Sequence, residues 1–315
     1  MSCWRPESLL QPWLPDFARV NRIERARVVS SAIQIRNGKA LIPRVLDAAT
    51  FRFNRVSERM LKTWMLRLGW QPSGRSPVSA LQIDSCFGYE DEEAIKKASS
   101  MVMNHTMGSF PRLASLWSQV RYLDRHSLTG AMVECGVWKG GAAGLMALAH
   151  MHQRNPPDRD LYLFDSWEGL PEPQASLDGS SAVEYAVGRA SGALKSIGQC
   201  VSSIEEASEL LELKIGYPRH LLHYQKGWFQ DTVIASAASL GEIALLRLDG
   251  DWYESTKVCL QALYPQVRKY GVVVIDDYGH WEGCRAAVDE FIGTLAAPIM
   301  LHRVDYTCRY WIKPD

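Results

Sequence analysis

The sequence lacks the features that mark membrane-spanning and secreted proteins. No stretch of the 315 residues approaches the roughly 20 apolar residues that a transmembrane helix requires. Residues 1–7 do not resemble a secretory signal peptide. None of the seven cysteines forms a C-x-x-C pair, and several lie in apolar segments where a thiol packs as a small hydrophobic group. These absences exclude a bilayer-spanning chain and predict a protein of the reducing cytoplasm.

Charge is balanced overall but not along the chain. The formal net charge is +0, whereas residues 1–75 hold fourteen Lys and Arg against five Asp and Glu, a local excess of +9. This basic segment has helical apolar patches, most clearly at residues 45–68. It fits an arm on a partner subunit, a cap over an acceptor site, or a surface that attracts phosphate groups or anionic lipid. We favour the first two, and therefore expect a homo-oligomer and no nucleic-acid partner.

A linker separates this segment from the rest of the chain. Residues 71–77, with the sequence QPSGRSP, have a turn-forming composition. We therefore predict a mainly helical extension over residues 1–90 and a larger domain over residues 91–315.

The larger domain is organised around residues 243–278. Two apolar runs, residues 243–248 and 272–275, flank a segment with helical spacing at residues 254–268. A helical crossover makes the two strands parallel, so their carboxyl ends meet at one edge of the sheet. Acidic residues follow both strands at that edge: Asp249, Asp251, Asp276 and Asp277.

These four carboxylates predict a cation site. Like charges that meet in one crevice raise one another's pKa unless a cation neutralises them, and oxygen ligands favour a hard ion such as Mg²⁺. The alternative is that Asp251 and Asp277 cap the helices that follow them. Capping explains only one acid at each strand end.

Two upstream strands predict a nucleoside site. Residues 131–135 form a strand that contains Glu134, and a glycine-rich turn and a helix at residues 142–152 follow it. Such a turn brings backbone N–H groups to an anionic or polar ligand, although this one is not a G-x-G-x-x-G fingerprint. The second strand, residues 161–164, ends at Asp165, about thirty residues after Glu134, the spacing at which an acid binds ribose hydroxyls in doubly wound folds. We therefore predict an adenosine-containing ligand.

The remaining segments complete a doubly wound α/β fold. Residues 165–203 form a long insert, which we interpret as a lid or a disordered connection. A third strand at residues 221–224 precedes Trp228 and Phe229, which either stack on a base or plug the sheet edge. A helix at residues 281–295 and a hairpin of residues 299–303 and 308–312 close the chain. Five parallel strands followed by an antiparallel hairpin is the order of a class I, Rossmann-like methyltransferase.

Five segments resemble the macrocin O-methyltransferase family, whose members methylate sugar hydroxyls in antibiotic biosynthesis. They contain VECGVWKGG at residues 133–141, FDSWEGLP at 164–171, KGWFQDT at 226–232, LRLDGDWYEST at 246–256, and IDDYG at 275–279 with GCRAAVD at 283–289. The resemblance implies S-adenosylmethionine as the methyl donor and Mg²⁺ held by carboxylates. It implies Asp249, Asp276 and Asp277 as metal ligands and Asp251 as the general base. Its implied cofactor-binding residues are Glu134, Gly136, Val137, Gly140, Asp165, Ser166, Gly227, Trp228 and Asp249.

The predicted reaction is methylation of a hydroxyl on a sugar or glycosylated secondary metabolite, a small-molecule acceptor. Metal coordination lowers the high pKa of such a hydroxyl, and a nearby carboxylate accepts its proton. Lys226 and His280 are rival bases, each more simply explained as structural. Two alternatives are a catechol-type O-methyltransferase, whose acceptor chelates the metal, and a non-catalytic adenosine-binding protein. Retention of all four acids argues against the second.

Overall fold

A seven-stranded mixed sheet forms the centre of the computed structural model, which describes residues 34–36, 39–41, 91–186 and 194–315. Its strands are β3 Ala131–Cys135, β4 Leu161–Asp165, β5 Leu222–Lys226, β6 Ile243–Leu248, β7 Val267–Ile275, β8 His302–Arg303 and β9 Arg309–Ile312. They lie in the order β5-β4-β3-β6-β7-β9-β8. Neighbouring strands from β5 to β7 pair in parallel, whereas β9 is antiparallel to β7 and β8 is antiparallel to β9. The predicted class I methyltransferase topology is confirmed.

Helices pack on both faces of this sheet. They are α1 Glu92–Val102, α2 Phe110–Arg125, α3 Gly141–Gln153, α4 Ala175–Ala186, α5 Ile204–Ser208, α6 Phe229–Ala237, α7 Tyr253–Leu263 and α8 Glu282–Gly293. A π-helix, Glu209–Ile215, continues α5. One core layer buries Leu113 of α2 and Leu145 of α3, and the opposite layer buries Leu260 of α7 and Val288 of α8. Burial on both faces explains why β3 and β6 are apolar at nearly every position.

The local sequence fixes where α2 begins. The side chain of Ser109 accepts a hydrogen bond from the Arg112 backbone N–H at 3.4 Å, and a proline occupies the first turn. Both features are typical of helix N-termini. As a result, Arg112 lies in the first turn of α2.

Two predicted boundaries within the central unit, residues 243–278, were wrong, and the first strand of the hairpin, predicted at residues 299–303, is only His302–Arg303. The helix after β6 ends at Leu263 rather than continuing to Arg268, because Pro265 has no backbone N–H to donate to a continuing helix. Strand β7 consequently begins at Val267, five residues before the predicted start at Val272. The predicted insert at residues 165–203 contains the helix α4, which is kinked at Gly179.

Little of the N-terminal extension lies within the described residues. Its described part is an antiparallel pair of short strands, β1 Gln34–Arg36 and β2 Lys39–Leu41. The helical patch predicted at residues 45–68 and the linker at 71–77 lie outside the described residues, so the domain division stays a prediction. No helix in the described ranges is long and apolar enough to cross a membrane.

Candidate active site

A buried arginine connects the ends of three neighbouring strands. Arg247 of β6 lies opposite Glu134 of β3 in the strand register. Its guanidinium donates to Glu134 Oε1 at 2.6 Å and to Asp276 Oδ1 at 2.7 Å, and lies 2.9 Å from Asp249 Oδ2. Burial raises the pKa of Glu134 to about 8, although Arg247 opposes the shift. The pairing neutralises part of a charge cluster that would otherwise be costly to bury.

Three of the four acids predicted at the strand ends converge beside this arginine. Ligand oxygens of Asp249, Asp251 and Asp277 all lie within 4.8 Å of one another. Burial and the neighbouring carboxylates, Asp251 first, raise the pKa of Asp277 well above its usual range. Oδ2 of Asp277 is buried and receives no hydrogen bond from a donor among the described residues. These carboxyl groups can therefore all be ionised together only when a cation neutralises them.

Asp276 has a different environment. One of its oxygens accepts from Arg247, and the other forms an ion pair with Nη1 of Arg112. Arg112 also lies 3.1 Å from Asp305 Oδ2, in the loop between β8 and β9. Each Asp276 oxygen is thus engaged by a guanidinium group, so a metal ion could bind Asp276 only through the remaining lone pairs or after exchange of a partner.

Asp251 is the second member of the cluster along the chain. It follows β6 with a positive φ of 58°, a conformation that aspartate tolerates better than most residues. Nε1 of Trp281 donates to Asp251 Oδ1 at 2.7 Å and orients the carboxylate. Burial and the charge of Asp249 raise the pKa of Asp251 to about 8, despite that hydrogen bond.

The loops after β3 and β4 are joined through one carboxylate. Asp165 accepts from the backbone N–H groups of Val137 and Trp138 at 2.7 and 2.8 Å, and from that of Trp167 at 2.6 Å. Trp138 and Trp167 have positive φ angles of 50° and 54°, which are unusual for bulky residues. Asp165 therefore stabilises two strained loop positions in addition to any ligand contact.

Gly136 allows these loops to approach β6. Its φ is +93°, and an added Cβ would lie 1.9 Å from the carbonyl oxygen of Asp249. No other residue could occupy this position without moving the ends of β3 and β6 apart.

Two adjoining cavities open at this edge of the sheet. The first is lined by Asp165 and by five other predicted residues: Gly136, Ser166, Gly227, Trp228 and Asp249. The second is lined by the acid cluster with Glu134 and Val137. Both reach Asp251. Gly140 lines neither cavity and precedes α3 with a φ of 82°. Of the two rival bases, His280 lines the second cavity and Lys226 ends β5 outside both.

Sequence reasoning missed Arg112, Arg247 and Trp281 as site residues. A signal existed for Arg247, because an arginine within the apolar run IALLRL must find buried partners. No comparable signal marked Arg112, whose contact with Asp276 spans 164 residues of sequence.

Comparisons with known proteins identify the family. The profile described as Macrocin-O-methyltransferase (TylF) matches residues 84–313. The 8-demethyl-8-(2,3-dimethoxy-alpha-L-rhamnosyl)-tetracenomycin-C 4'-O-methyltransferase of Streptomyces olivaceus is 32% identical over 207 residues, 66% of this chain and 75% of that protein. The demethyldecarbamoylnovobiocin O-methyltransferase of Streptomyces niveus is 32% identical over 208 residues, 66% of this chain and 75% of its own.

A solved structure gives the same result, and the family predicted from the motifs is confirmed. The structure of the O-methyltransferase NovP superposes on this chain with a TM-score of 0.60 at 28% sequence identity. The match covers 71% of this chain and 98% of the NovP chain. The chain therefore belongs to the macrocin-O-methyltransferase (TylF) family and is an S-adenosylmethionine-dependent O-methyltransferase.

Proposed function

We propose that this enzyme methylates a hydroxyl of a sugar or glycosylated secondary metabolite, with Mg²⁺ as an essential ion. The observation that carries the proposal is the convergence of Asp249, Asp251 and Asp277 beside the first cavity, which most of the predicted cofactor-binding residues line. Support for a sugar acceptor comes from relatives named for a rhamnosyl tetracenomycin and for mycinamicin III, the latter 28% identical over 74% of this chain. Antibiotic biosynthesis is the corresponding pathway class.

The cluster fits a hard divalent cation. Asp249 and Asp277 would hold Mg²⁺ through carboxylate oxygens, the donor type that this ion prefers. The buried Oδ2 of Asp277 has no other donor among the described residues, which leaves it available as a ligand. When bound, the ion would lower the pKa of an acceptor hydroxyl and orient its oxygen. Asp276 would join the ligand set, as the family resemblance implies, through lone pairs that its contacts with Arg112 and Arg247 do not use.

The chain's own residues would handle the proton. Trp281 holds Oδ1 of Asp251, which leaves Oδ2 of Asp251 to accept the hydroxyl proton as the general base. On the donor side, Asp165 fixes the loops that carry Gly136 and Trp138 around the first cavity. S-Adenosylmethionine supplies the electrophilic methyl group. The carboxylates and the walls of the two cavities then position the acceptor oxygen for in-line transfer.

The proposal is tested by a methyl-transfer screen with S-adenosylmethionine, in Mg²⁺ and in chelator. The acceptors are glycosylated metabolites, nucleotide sugars and catechols. We expect turnover of sugar acceptors only with Mg²⁺. Turnover of catechols alone would contradict the proposed sugar acceptor and identify an aromatic acceptor instead.

The Asp251→Asn variant tests the base assignment. It should bind Mg²⁺ and donor normally but lose roughly two to four decades of rate, the usual range for general-base catalysis. Restoration of that rate by excess Mg²⁺ would make Asp251 a ligand instead. The matched control variant is Asp289→Asn. Asp289 lies on α8 outside both cavities, and its carboxylate accepts a hydrogen bond from the hydroxyl of Tyr278, so this variant should leave the rate unchanged.

We also propose a cytoplasmic, homo-oligomeric enzyme. Support for the compartment comes from the five described cysteines, Cys135, Cys200, Cys259, Cys284 and Cys308, which are all free thiols. Support for assembly comes only from the basic, partly apolar character of residues 1–75.

A further inference from the structure

Arg112 joins two carboxylates that come from distant parts of the chain. Its Nη1 forms an ion pair with Asp276, immediately after β7, and its Nε lies 3.1 Å from Oδ2 of Asp305 in the loop between β8 and β9. The side chains of Arg112, Asp276 and Asp305 are only 18%, 6% and 16% exposed. A guanidinium group is planar and rigid, so it holds two carboxylates in a fixed geometry. Arg112 therefore connects the β8–β9 loop to one of the predicted metal ligands.

This contact is one end of a longer chain of alternating charges. Asp276 also accepts from Arg247, and Arg247 in turn contacts Glu134 and Asp249. The chain thus runs from the β8–β9 loop through Arg112, Asp276 and Arg247 to Glu134 in β3. Each guanidinium compensates carboxylates that would be costly to bury alone, so loss of one contact affects its neighbours.

The loop that Arg112 contacts forms one wall of the second cavity. Tyr306 and Thr307 line this cavity, whereas Asp305 lines neither of the two cavities. Oδ1 of Asp305 accepts from the backbone N–H groups of Thr307 and Cys308, both at 2.9 Å. Its Oδ2 accepts from the hydroxyl of Ser109, at the start of α2, at 2.8 Å. One oxygen of Asp305 therefore shapes the loop, and the other attaches it to α2 and Arg112.

A second attachment lies on the other side of the loop. The backbone N–H of Gly279 donates to the carbonyl of Thr307 at 2.8 Å, and a Cβ at Gly279 would lie 1.8 Å from the carbonyl oxygen of Tyr306. A segment held at two points cannot rotate about either of them. Without the contact between Arg112 and Asp305, the loop could pivot about Gly279 and displace the cavity wall.

We propose that Arg112 and Asp305 are positioning residues that hold the β8–β9 loop at a fixed distance from the acid cluster. They place the wall formed by Tyr306 and Thr307 so that the acceptor oxygen meets both the carboxylates and the methyl group. Reacting atoms must lie about 3–3.5 Å apart in a productive complex, so a displaced wall lowers the rate although no catalytic group is lost. This inference rests on the proposed function in one respect, that the second cavity takes the acceptor.

The variants Asp305→Asn and Arg112→Lys test the contact from its two sides. Asparagine keeps an oxygen for the N–H groups of Thr307 and Cys308 but removes the negative charge beside Arg112. Lysine keeps the positive charge of Arg112 but lacks the planar group that fits two carboxylates. With the glycoside that wild type methylates fastest in the methyl-transfer screen, kcat/KM should fall about tenfold in each variant. The double variant should also lose about tenfold rather than a hundredfold, because both changes remove the same contact.

Two readouts separate positioning from a general loss of structure. Asp305→Asn should bind S-adenosylhomocysteine with unchanged Kd, because Asp305 lines neither cavity. Amide hydrogen exchange, measured without metal or acceptor, should be faster than in wild type for peptides that cover residues 304–308. Exchange in α7, which packs in the opposite core layer, should not change.

The matched control is Arg303→Gln. Arg303 is exposed, lines neither cavity and donates to the backbone carbonyl of Asp305 at 2.8 Å. Arg309 donates to the same carbonyl, so the loop keeps a partner there. Arg303→Gln therefore removes an arginine from the same loop without affecting the link to Asp276, and it should leave kcat/KM and hydrogen exchange unchanged.

Unchanged kcat/KM in folded Asp305→Asn, or a hundredfold loss in the double variant, would overturn the inference and leave sugar methylation standing. A loss in Arg303→Gln as large as in Asp305→Asn would also overturn it. If Arg112→Lys does not fold, Asp305→Asn and its control decide alone. Absence of methylation by wild type would overturn the proposed function, and the inference with it.

Discussion

Asp165 has a structural role in addition to the ribose contact predicted for it. The spacing from Glu134 predicted a ribose ligand, whereas the structure shows that the carboxylate also accepts three backbone N–H groups. A carboxylate has about four acceptor positions, so ribose contact and loop support are compatible. Removal of this side chain should therefore affect donor binding directly and also through the loops.

The variant Asp165→Ala should lower donor affinity at least about tenfold, because each charged hydrogen bond is worth roughly 1.5–3 kcal/mol and 1.4 kcal/mol is one decade. Calorimetric titration with S-adenosylhomocysteine measures this affinity. The control is Asp160→Ala. Asp160 immediately precedes β4, and its carboxylate contacts His223 and lines neither of the two cavities. Unchanged affinity in folded Asp165→Ala would remove the residue from the donor site.

A second buried carboxylate acts on stability rather than on catalysis. Asp124 of α2 lies 2.8 Å from Nδ1 of His150 and 2.8 Å from Nη2 of Arg159, with its side chain 1% exposed. Burial alone would raise the pKa of Asp124, but hydrogen bonds from His150 and Arg159 outweigh it and hold the pKa below its usual value. The ionised form is therefore favoured by folding.

Asp124→Asn should lower the free energy of unfolding at neutral pH by about 3–5 kcal/mol, the cost of breaking a buried ion pair. Because the pKa of Asp124 is lower in the folded state, its carboxylate stabilises the fold fully at pH values above its unfolded-state pKa of about 4. This contribution is lost as the pH falls through the folded-state pKa. The difference between wild type and variant, measured by denaturant unfolding, should thus narrow on acidification. Asp158→Asn, 72% exposed beside the same histidine, should cost under about 1 kcal/mol. Equal losses in both variants would contradict this account.

Among the secondary-structure elements, the close approach of β3 and β6 depends on Gly136. The variant Gly136→Ala should lose donor binding and stability, because its Cβ would overlap the Asp249 carbonyl group. Gly241→Ala provides the matched control, since Gly241 also has a positive φ of 69° but has nothing within 4 Å of an added Cβ. It should cost only the conformational penalty of about 1–2 kcal/mol. Equal losses of stability in the two variants, with donor binding intact in both, would show that the close approach of β3 and β6 does not require a glycine at position 136.

The order of strands was predictable because each buried strand is an apolar run that ends at a polar or acidic residue. The extent of β7 was not, since Arg268, Lys269 and Tyr270 interrupt the apolar pattern. The positions of Asp249, Asp251 and Asp277 followed from parallel pairing alone. The guanidinium contacts of Asp276 did not follow, because they depend on strand register and on a helix far away in sequence.

For the molecule as a whole, the basic segment at residues 1–75 is predicted to cap the acceptor site or to form a subunit interface. If it caps the acceptor site or forms a subunit interface, its deletion should leave donor binding intact but abolish turnover or change the mass in solution. Light scattering measures the mass in solution, and a methyl-transfer assay measures turnover. Full activity with unaltered mass would reject both roles and favour attraction of phosphate groups or anionic lipid.

The most direct test of the account is calorimetric titration of Mg²⁺ into the full-length protein saturated with S-adenosylhomocysteine. We predict that wild type binds the ion and that Asp251→Asn binds it normally. Asp249→Asn and Asp277→Asn should each bind it at least about tenfold more weakly, because each loses a charged ligand. Absence of Mg²⁺ binding to wild type, or binding by Asp249→Asn and Asp277→Asn as tight as that of wild type, would contradict the assignment of this carboxylate cluster as the metal site.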